Sequence, residues 1–416
     1  MYKCIIAACG FMAIAGALYA QTATPDENQK EIKELQEQMN SVTEAQTKTI
    51  PSIFNPAIGF VGETIFSYTN RGSDKTGRDR PGGFDFFPRS LELNASSSVD
   101  TFAKAYAVIN TQVDPKSGEA VLEVEEAALQ TTALPWNMEL KAGRFFGEFG
   151  RLGDIHDHEL PFVYRPMVLD QYIGGESQTD GLQFNWLVPV DRYISWTVGL
   201  GDRFGADDPN PNDAGNYRSI KDLNYWSRLS TYFEVTPDIA IEPGISGLIN
   251  PGTLNRGGAL LQPDGSTLTE RKRQLYGADL VVSYKPLQNN QFRSLIWGTE
   301  VLYSDNKYDV NLTDSAGPTS SVYMKSLGMY SYLTFKYDRE WSWGFLYEWL
   351  ENAQNNKDKT SAYSPYITWA LSHWNQLRLQ YTYTDRSKIS GLRSDQQISL
   401  QWTWIIGAHS HGWQQR

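Results

Sequence analysis

Four of the five histidines in this 416-residue chain stand as two His-Xaa-His pairs, His156/His158 and His409/His411. On an extended backbone, residues two apart share a face, so each pair offers two imidazole nitrogens to Zn²⁺ or a similar divalent ion. Asp154 or Glu159 supplies an oxygen beside the first pair. Around the first pair, the connection 148–178 gathers Asp154, Asp157, Glu159, Arg165 and Asp170. No nucleophile elbow and no glycine-rich phosphate loop between a strand and a helix occurs. The expectation is therefore a non-enzymatic protein with no cofactor beyond a divalent metal at His156 and His158.

The elements that must position these groups are strands. From Pro56 onward apolar residues recur with period two. Leu377, Leu379, Tyr381 and Tyr383 share one face against Arg378, Gln380, Thr382 and Thr384; Ile398, Leu400, Trp402, Trp404 and Ile406 repeat it. Trp341, Trp343, Phe345, Tyr347 and Trp349 make a third greasy face, and Ile239, Ile241, Ile245 and Ile249 a fourth. About sixteen such stretches follow one another, at 57–68, 89–99, 102–112, 119–130, 138–147, 179–189, 191–201 and 224–235, then 237–249, 274–286, 291–304, 322–337, 340–352, 361–371, 373–385 and 395–407. Alternation slips at Glu125-Glu126, where a bulge is expected.

Composition identifies what those strands face. No run after residue 20 approaches the roughly eighteen apolar residues of a membrane helix, yet 13% of residues are aromatic, including 13 Trp and 23 Tyr. Strands that turn an aromatic, apolar face to lipid and a polar face to a water-filled lumen reconcile the two. A secreted soluble β-protein is the alternative, but loop lengths oppose it. Tight turns at Asp100-Thr101, 134–137, 236–238, 338–339 and 372–375 alternate with longer polar connections at 69–88, 202–223, 250–273 and 305–321. Bacterial outer-membrane barrels have that asymmetry, with short periplasmic turns. The fold expected is thus all-β, a transmembrane antiparallel barrel over 56–416, in contact with outer-membrane lipid.

Ahead of the barrel, residues 1–20 read as an export signal, with Lys3 before a small apolar run and cleavage after Ala17 or Ala20. Ile6-Ala7-Ala8-Cys9 also has the residue types of a lipoprotein box, but leaves too few residues before the cut. Both cysteines, Cys4 and Cys9, fall in this segment, so the exported chain has no thiol chemistry. Residues 21–55 form a periplasmic segment in which Ile32, Leu35, Met39 and Val42 keep coiled-coil spacing. Either a short trimerisation stalk or a flexible leader accounts for it. The net charge of −11 argues against a nucleic-acid partner.

With these features placed, the chain resembles the general and phosphate-selective porins: a signal, a short heptad segment and about sixteen strands. A closer likeness, to a poorly characterised outer-membrane group of which some members are associated with zinc regulation, lies in Phe149-Gly150-Arg151-Leu152, His156, His158, Pro161-Phe162-Val163 and Arg165-Pro166. Porins commonly end on an aromatic residue, whereas this chain runs past Trp413 to Gln414-Gln415-Arg416.

The resemblance implies an outer-membrane diffusion channel for small hydrophilic solutes or ions, assembled as a homotrimer. It also implies that the third outer loop, 148–178, folds into the lumen; a lid outside the pore is the alternative. Leu160 to Val163 and Met167 to Leu169 would pack on the wall, leaving Asp154, Asp157, Glu159, Arg165 and Asp170 to meet water. On the wet faces of the strands, Glu92, Glu123, Glu125, Glu139, Glu234, Asp279, Glu300 and Glu348 point inward, opposed by Lys104, Lys141, Arg228 and Arg378. The excess of acids implies a mild cation preference. Other functions remain open: an uptake barrel that captures a metal ion or small ligand with 148–178, a structural outer-membrane protein, or an outer-membrane protease or lipase with scattered residues.

Overall fold

Alternating side chains make each strand two-faced, and the strands close on themselves. A computed structural model of the chain describes residues 56–70, 82–113, 118–205, 219–252, 256–261, 267–286, 293–311, 320–372, 374–387, 389 and 394–407. The export signal, the heptad segment and His409/His411 lie outside the described residues. In chain order the strands are β1 (Ala57–Thr69), β2 (Gly83–Ser98), β3 (Ala103–Val113), β4 (Ala120–Thr131), β5 (Met138–Phe146) and β6 (Gln178–Leu187). They continue as β7 (Tyr193–Gly201), β8 (Asn224–Thr236), β9 (Ile239–Asn250), β10 (Arg256–Leu261), β11 (Thr267–Tyr284) and β12 (Ser294–Asn311). The last five are β13 (Ser320–Lys336), β14 (Trp341–Asn352), β15 (Asn355–Ser372), β16 (Asn375–Arg386) and β17 (Asp395–Gly407).

Antiparallel pairing runs from each strand to its neighbour, and β1 also pairs with β17 from Gly59↔Gly407 to Thr69↔Gln397, which closes the wall. Closure leaves no strand edge to be satisfied in lipid. Because β9 pairs directly with β11, the wall has sixteen strands. The short β10, unforeseen in the sequence, pairs with the outer end of β11.

Burial is inverted relative to a soluble protein. On β14, Trp341, Trp343 and Phe345 are exposed while Leu346 and Glu348 are buried; on β17, Ile398, Trp402 and Ile406 are exposed while Ser399, Gln401 and Thr403 are buried. Apolar outside and polar inside is what a bilayer demands of a barrel. Among the described residues no helix is long and apolar enough to cross a membrane; the exposed apolar face of the strands is what suits them to span one.

The tight turns owe their shape to local capping. Asp100 Oδ1 accepts from the backbone N–H of Phe102 and Ala103 at 2.7 and 2.9 Å, and Asp338 Oδ1 does the same for Glu340 and Trp341 at 2.9 and 2.7 Å. At the other end β11, β12 and β15 run further than expected, into segments read as the polar loops 250–273 and 305–321 or, before 361, as a connection. Polar residues such as Glu270, Lys272, Asp305 and Lys307 continue the ladder there, because its backbone hydrogen bonds do not require an apolar face.

Candidate functional site: a loop folded into the lumen

β5 leads to β6 through residues 147–177, which contain a 3-10 turn at Asp157–Glu159 and one short helix, α1 (Met167–Tyr172). Leu152, Leu160, Phe162, Val168, Leu169, Tyr172 and Ile173 are buried in one cluster with wall residues that include Trp226, Leu248, Leu302, Tyr330 and Leu346. Across the barrel Val163 packs on Ile65 of β1 and Phe87 of β2. Phe162 meets Tyr332 and Tyr366 edge-on, with ring centroids 5.7 and 6.2 Å apart. Contact with opposite walls places the loop inside the barrel.

A loop buried in this way must find partners for its own backbone. Wall acids accept from its N–H groups: Arg151 N donates to Glu300 Oε2 at 3.2 Å and Met167 N to Glu348 Oε1 at 2.7 Å. Neutral side chains serve likewise, Gly150 N donating to Ser246 Oγ at 2.9 Å and Val163 N to Gln380 Oε1 at 2.8 Å. Wall arginines donate to its carbonyls: Arg378 to Phe162 O at 3.2 Å, Arg89 to Val163 O at 2.5 Å and Arg273 to Ile173 O at 2.8 Å. Glu300, Glu348 and Arg378 therefore lie on the inner face and each bonds a loop backbone group; Glu300 also accepts from Tyr330 Oη at 2.6 Å, and Arg378 also donates to Thr368 Oγ1 at 3.0 Å and Gln401 Oε1 at 2.8 Å. Gly150 is needed where it stands. Its φ is +64°, and an added Cβ would fall on the Glu300 carboxylate.

Of the loop charges expected to meet water, Glu159 and Asp170 are exposed, and Asp154 and Asp157 are half-buried. Arg165 departs from the expectation, being 5% exposed. Its guanidinium donates to Leu152 O at 2.6 Å, to Ile155 O, to Asp157 Oδ1 at 3.0 Å and to Glu176 Oε1 at 3.3 Å. One planar cation with five donors thus ties both limbs of the loop together. Replacing it by Met strands two carboxylates and two carbonyls, at about 3–5 kcal/mol for a broken buried ion pair. Thermolysin should then cut the loop of Arg165→Met but not of the wild type, with the barrel's heat-modifiable gel mobility unchanged. Equal resistance would show that Arg165 is not the scaffold.

The first histidine pair is assembled against β2 and β4. The β4 ladder shifts register between Val108 and Ile109 of β3, leaving Glu125 as the extra residue of the expected bulge, so Glu125 and Glu126 are both buried on the inner side. His156 Nε2 lies 3.0 Å from Glu126 Oε1, and its Nδ1 lies 3.8 Å from Glu92 Oε2 and 3.7 Å from Glu125 Oε2. His158 Nδ1 is 3.0 Å from Glu92 Oε1. Burial works against charge on both imidazoles. Glu125, Glu126 and Glu92 nevertheless hold His156 well above the usual histidine pKa, and Glu92 raises His158. Burial, reinforced by Glu148, pushes the Asp154 carboxyl up to about 6. Two sets here have the composition of a metal site, Glu92/His156/His158 and Glu125/His156/Glu176, the ligand atoms within each set lying within 4.8 Å of one another. The histidines are legible in the sequence, whereas Glu176 and the role of Glu126 are not, since only the fold brings them to the pair.

No family model matches the chain. An uncharacterized protein of Aquifex aeolicus is 26% identical over 340 residues, spanning 77% of this chain and 68% of that one. Among solved structures, OprB of Pseudomonas putida at high pH is similar with a TM-score of 0.57 and 11% identity, over 85% of this chain and 94% of that one. The outer membrane channel DcaP of Acinetobacter baumannii gives 0.55 and 10%, over 85% and 97%. The in-vitro folded trimer form of the outer membrane protein OmpT of Vibrio cholerae gives 0.50 and 10%, over 84% and 99%. At such identities the likeness establishes the fold, a closed outer-membrane-type barrel.

Proposed function

We propose that this protein is an outer-membrane porin in which small hydrophilic solutes or ions diffuse through the lumen, past the 147–177 loop that narrows it. The observation that carries this reading is the loop itself, bonded through its backbone to inward residues such as Arg89, Ser246, Glu300, Glu348 and Arg378 around the wall. A barrel that only anchored the envelope would have no need to hold a loop across its lumen. DcaP, described as an outer membrane channel, shares the fold, and the role carries over as part of this proposal. A homotrimer belongs to the same reading, OmpT being described in a trimer form.

Passage is passive and non-enzymatic, with a mild cation preference set by exposed loop acids such as Glu159 and Asp170. The narrower likeness to the zinc-associated group rests on the Phe149-to-Pro166 motif alone. The test is electrical: purified protein in a planar bilayer should give discrete, ohmic current steps.

A further inference from the structure

Because the β4 bulge turns Glu125 and Glu126 inward together, two carboxylates approach one imidazole from different sides. The Glu126 contact holds the His156 ring through Nε2, as carboxylates orient metal-binding histidines, and leaves Nδ1 turned to two further carboxylates; a metal ion arriving there takes the place of the Nδ1 proton. Nδ1 then faces Glu92 Oε2 at 3.8 Å and Glu125 Oε2 at 3.7 Å. These two spacings are too long for hydrogen bonds. They approach the roughly 3.4 Å between two ligands of a tetrahedral ion whose bonds are about 2.1 Å. His158 brings a second nitrogen to the other oxygen of Glu92.

A separate observation points to the same place. Glu125 is 5% exposed; its carboxyl group pairs with Glu176, but among the described residues its Oε2, aimed at His156, accepts no hydrogen bond. A buried carboxylate oxygen in that state is costly unless a cation answers it.

We propose that His156, His158 and Glu92 bind one divalent transition-metal cation that ties the lumen loop to β2 and β4, with Glu125, which in this structure groups with His156 and Glu176, turning in as fourth ligand. Two imidazole nitrogens and two carboxylate oxygens suit Zn²⁺ and its neighbours, whereas Mg²⁺ and Ca²⁺ prefer oxygen alone. The ion crosses from a loop to the wall, so it stabilises the loop's placement in the lumen. The site depends only on that placement and stands apart from the question of conductance.

The test uses Zn²⁺ alone on the folded full-length protein, stripped with chelator and then dialysed. One equivalent per chain should remain by elemental analysis, and Co²⁺ in its place should give the visible absorption of a four-coordinate ion. His156→Gln, Glu92→Gln and Glu125→Gln should each lower affinity at least tenfold. Zn²⁺ should slow backbone hydrogen exchange over 151–163 in the wild type and not in His156→Gln. Heat-modifiable mobility identifies the folded variants, and three variants guard against one that does not fold. Retention of no Zn²⁺, or equal retention by the folded variants, would overturn the site and leave an ion-pair network of protonated histidines.

Discussion

Removing Leu152–Tyr172 and joining Arg151 to Ile173 by a short glycine linker should raise single-channel conductance several-fold while leaving the barrel inserted. The wall closes through β1 and β17 without the loop, so its ladder survives the deletion. What disappears is an apolar constriction built from side chains such as Leu160, Phe162 and Leu169, which occupy part of the lumen that water would otherwise fill. Each such side chain gains roughly 1.5–3 kcal/mol from burial, so thermal motion alone does not clear the lumen. Glu300, Glu348 and Arg378 lose their loop partners, but they do so facing water, where a charged group is hydrated. An unchanged step size in the deleted, folded barrel would place the loop outside the path of the current.

The second large effect concerns sign. Glu159→Gln combined with Asp170→Asn removes two exposed acids from the loop without touching its buried anchors. In a narrow passage of lowered dielectric, a fixed charge acts on a passing ion several times more strongly than on an open surface. The zero-current potential under a KCl gradient should therefore move toward anion selectivity at low salt. It should return toward the wild-type value near 1 M, where the Debye length is about 3 Å. A potential that does not move at any salt would assign selectivity to the wall.

The fold was legible because each strand carries its own address. A face such as Trp341, Trp343 and Phe345 belongs in lipid, and its partner face with Glu348 belongs inside. Even the bulge at Glu125-Glu126 was visible, since one extra residue breaks a period of two. β10 was not, because Arg256-Gly257-Gly258-Ala259-Leu260-Leu261 has no alternation of apolar and polar residues to mark a strand.

The loop was half legible. Its apolar residues announced packing on a wall, but Arg165 read as a solvent charge, because no periodicity encodes which loop carbonyls a guanidinium will reach. The anchoring roles of Glu300, Glu348 and Arg378 were hidden for the same reason: their partners lie far off in sequence and are backbone atoms, alike for every residue type. Glu92 joins the His156/His158 cluster only through the fold, whereas the sequence offered Asp154 or Glu159, neither of which is in the clustered sets.

The most direct test of the central claim is a planar-bilayer recording of the unaltered protein beside the loop-deleted barrel, with both shown to be folded by heat-modifiable mobility. A porin narrowed by its third loop should give discrete ohmic steps in the wild type and larger steps in the deletion. A wild-type protein that inserts and folds yet passes no current, while the deletion conducts, would make the loop a plug and contradict the account of a diffusion channel.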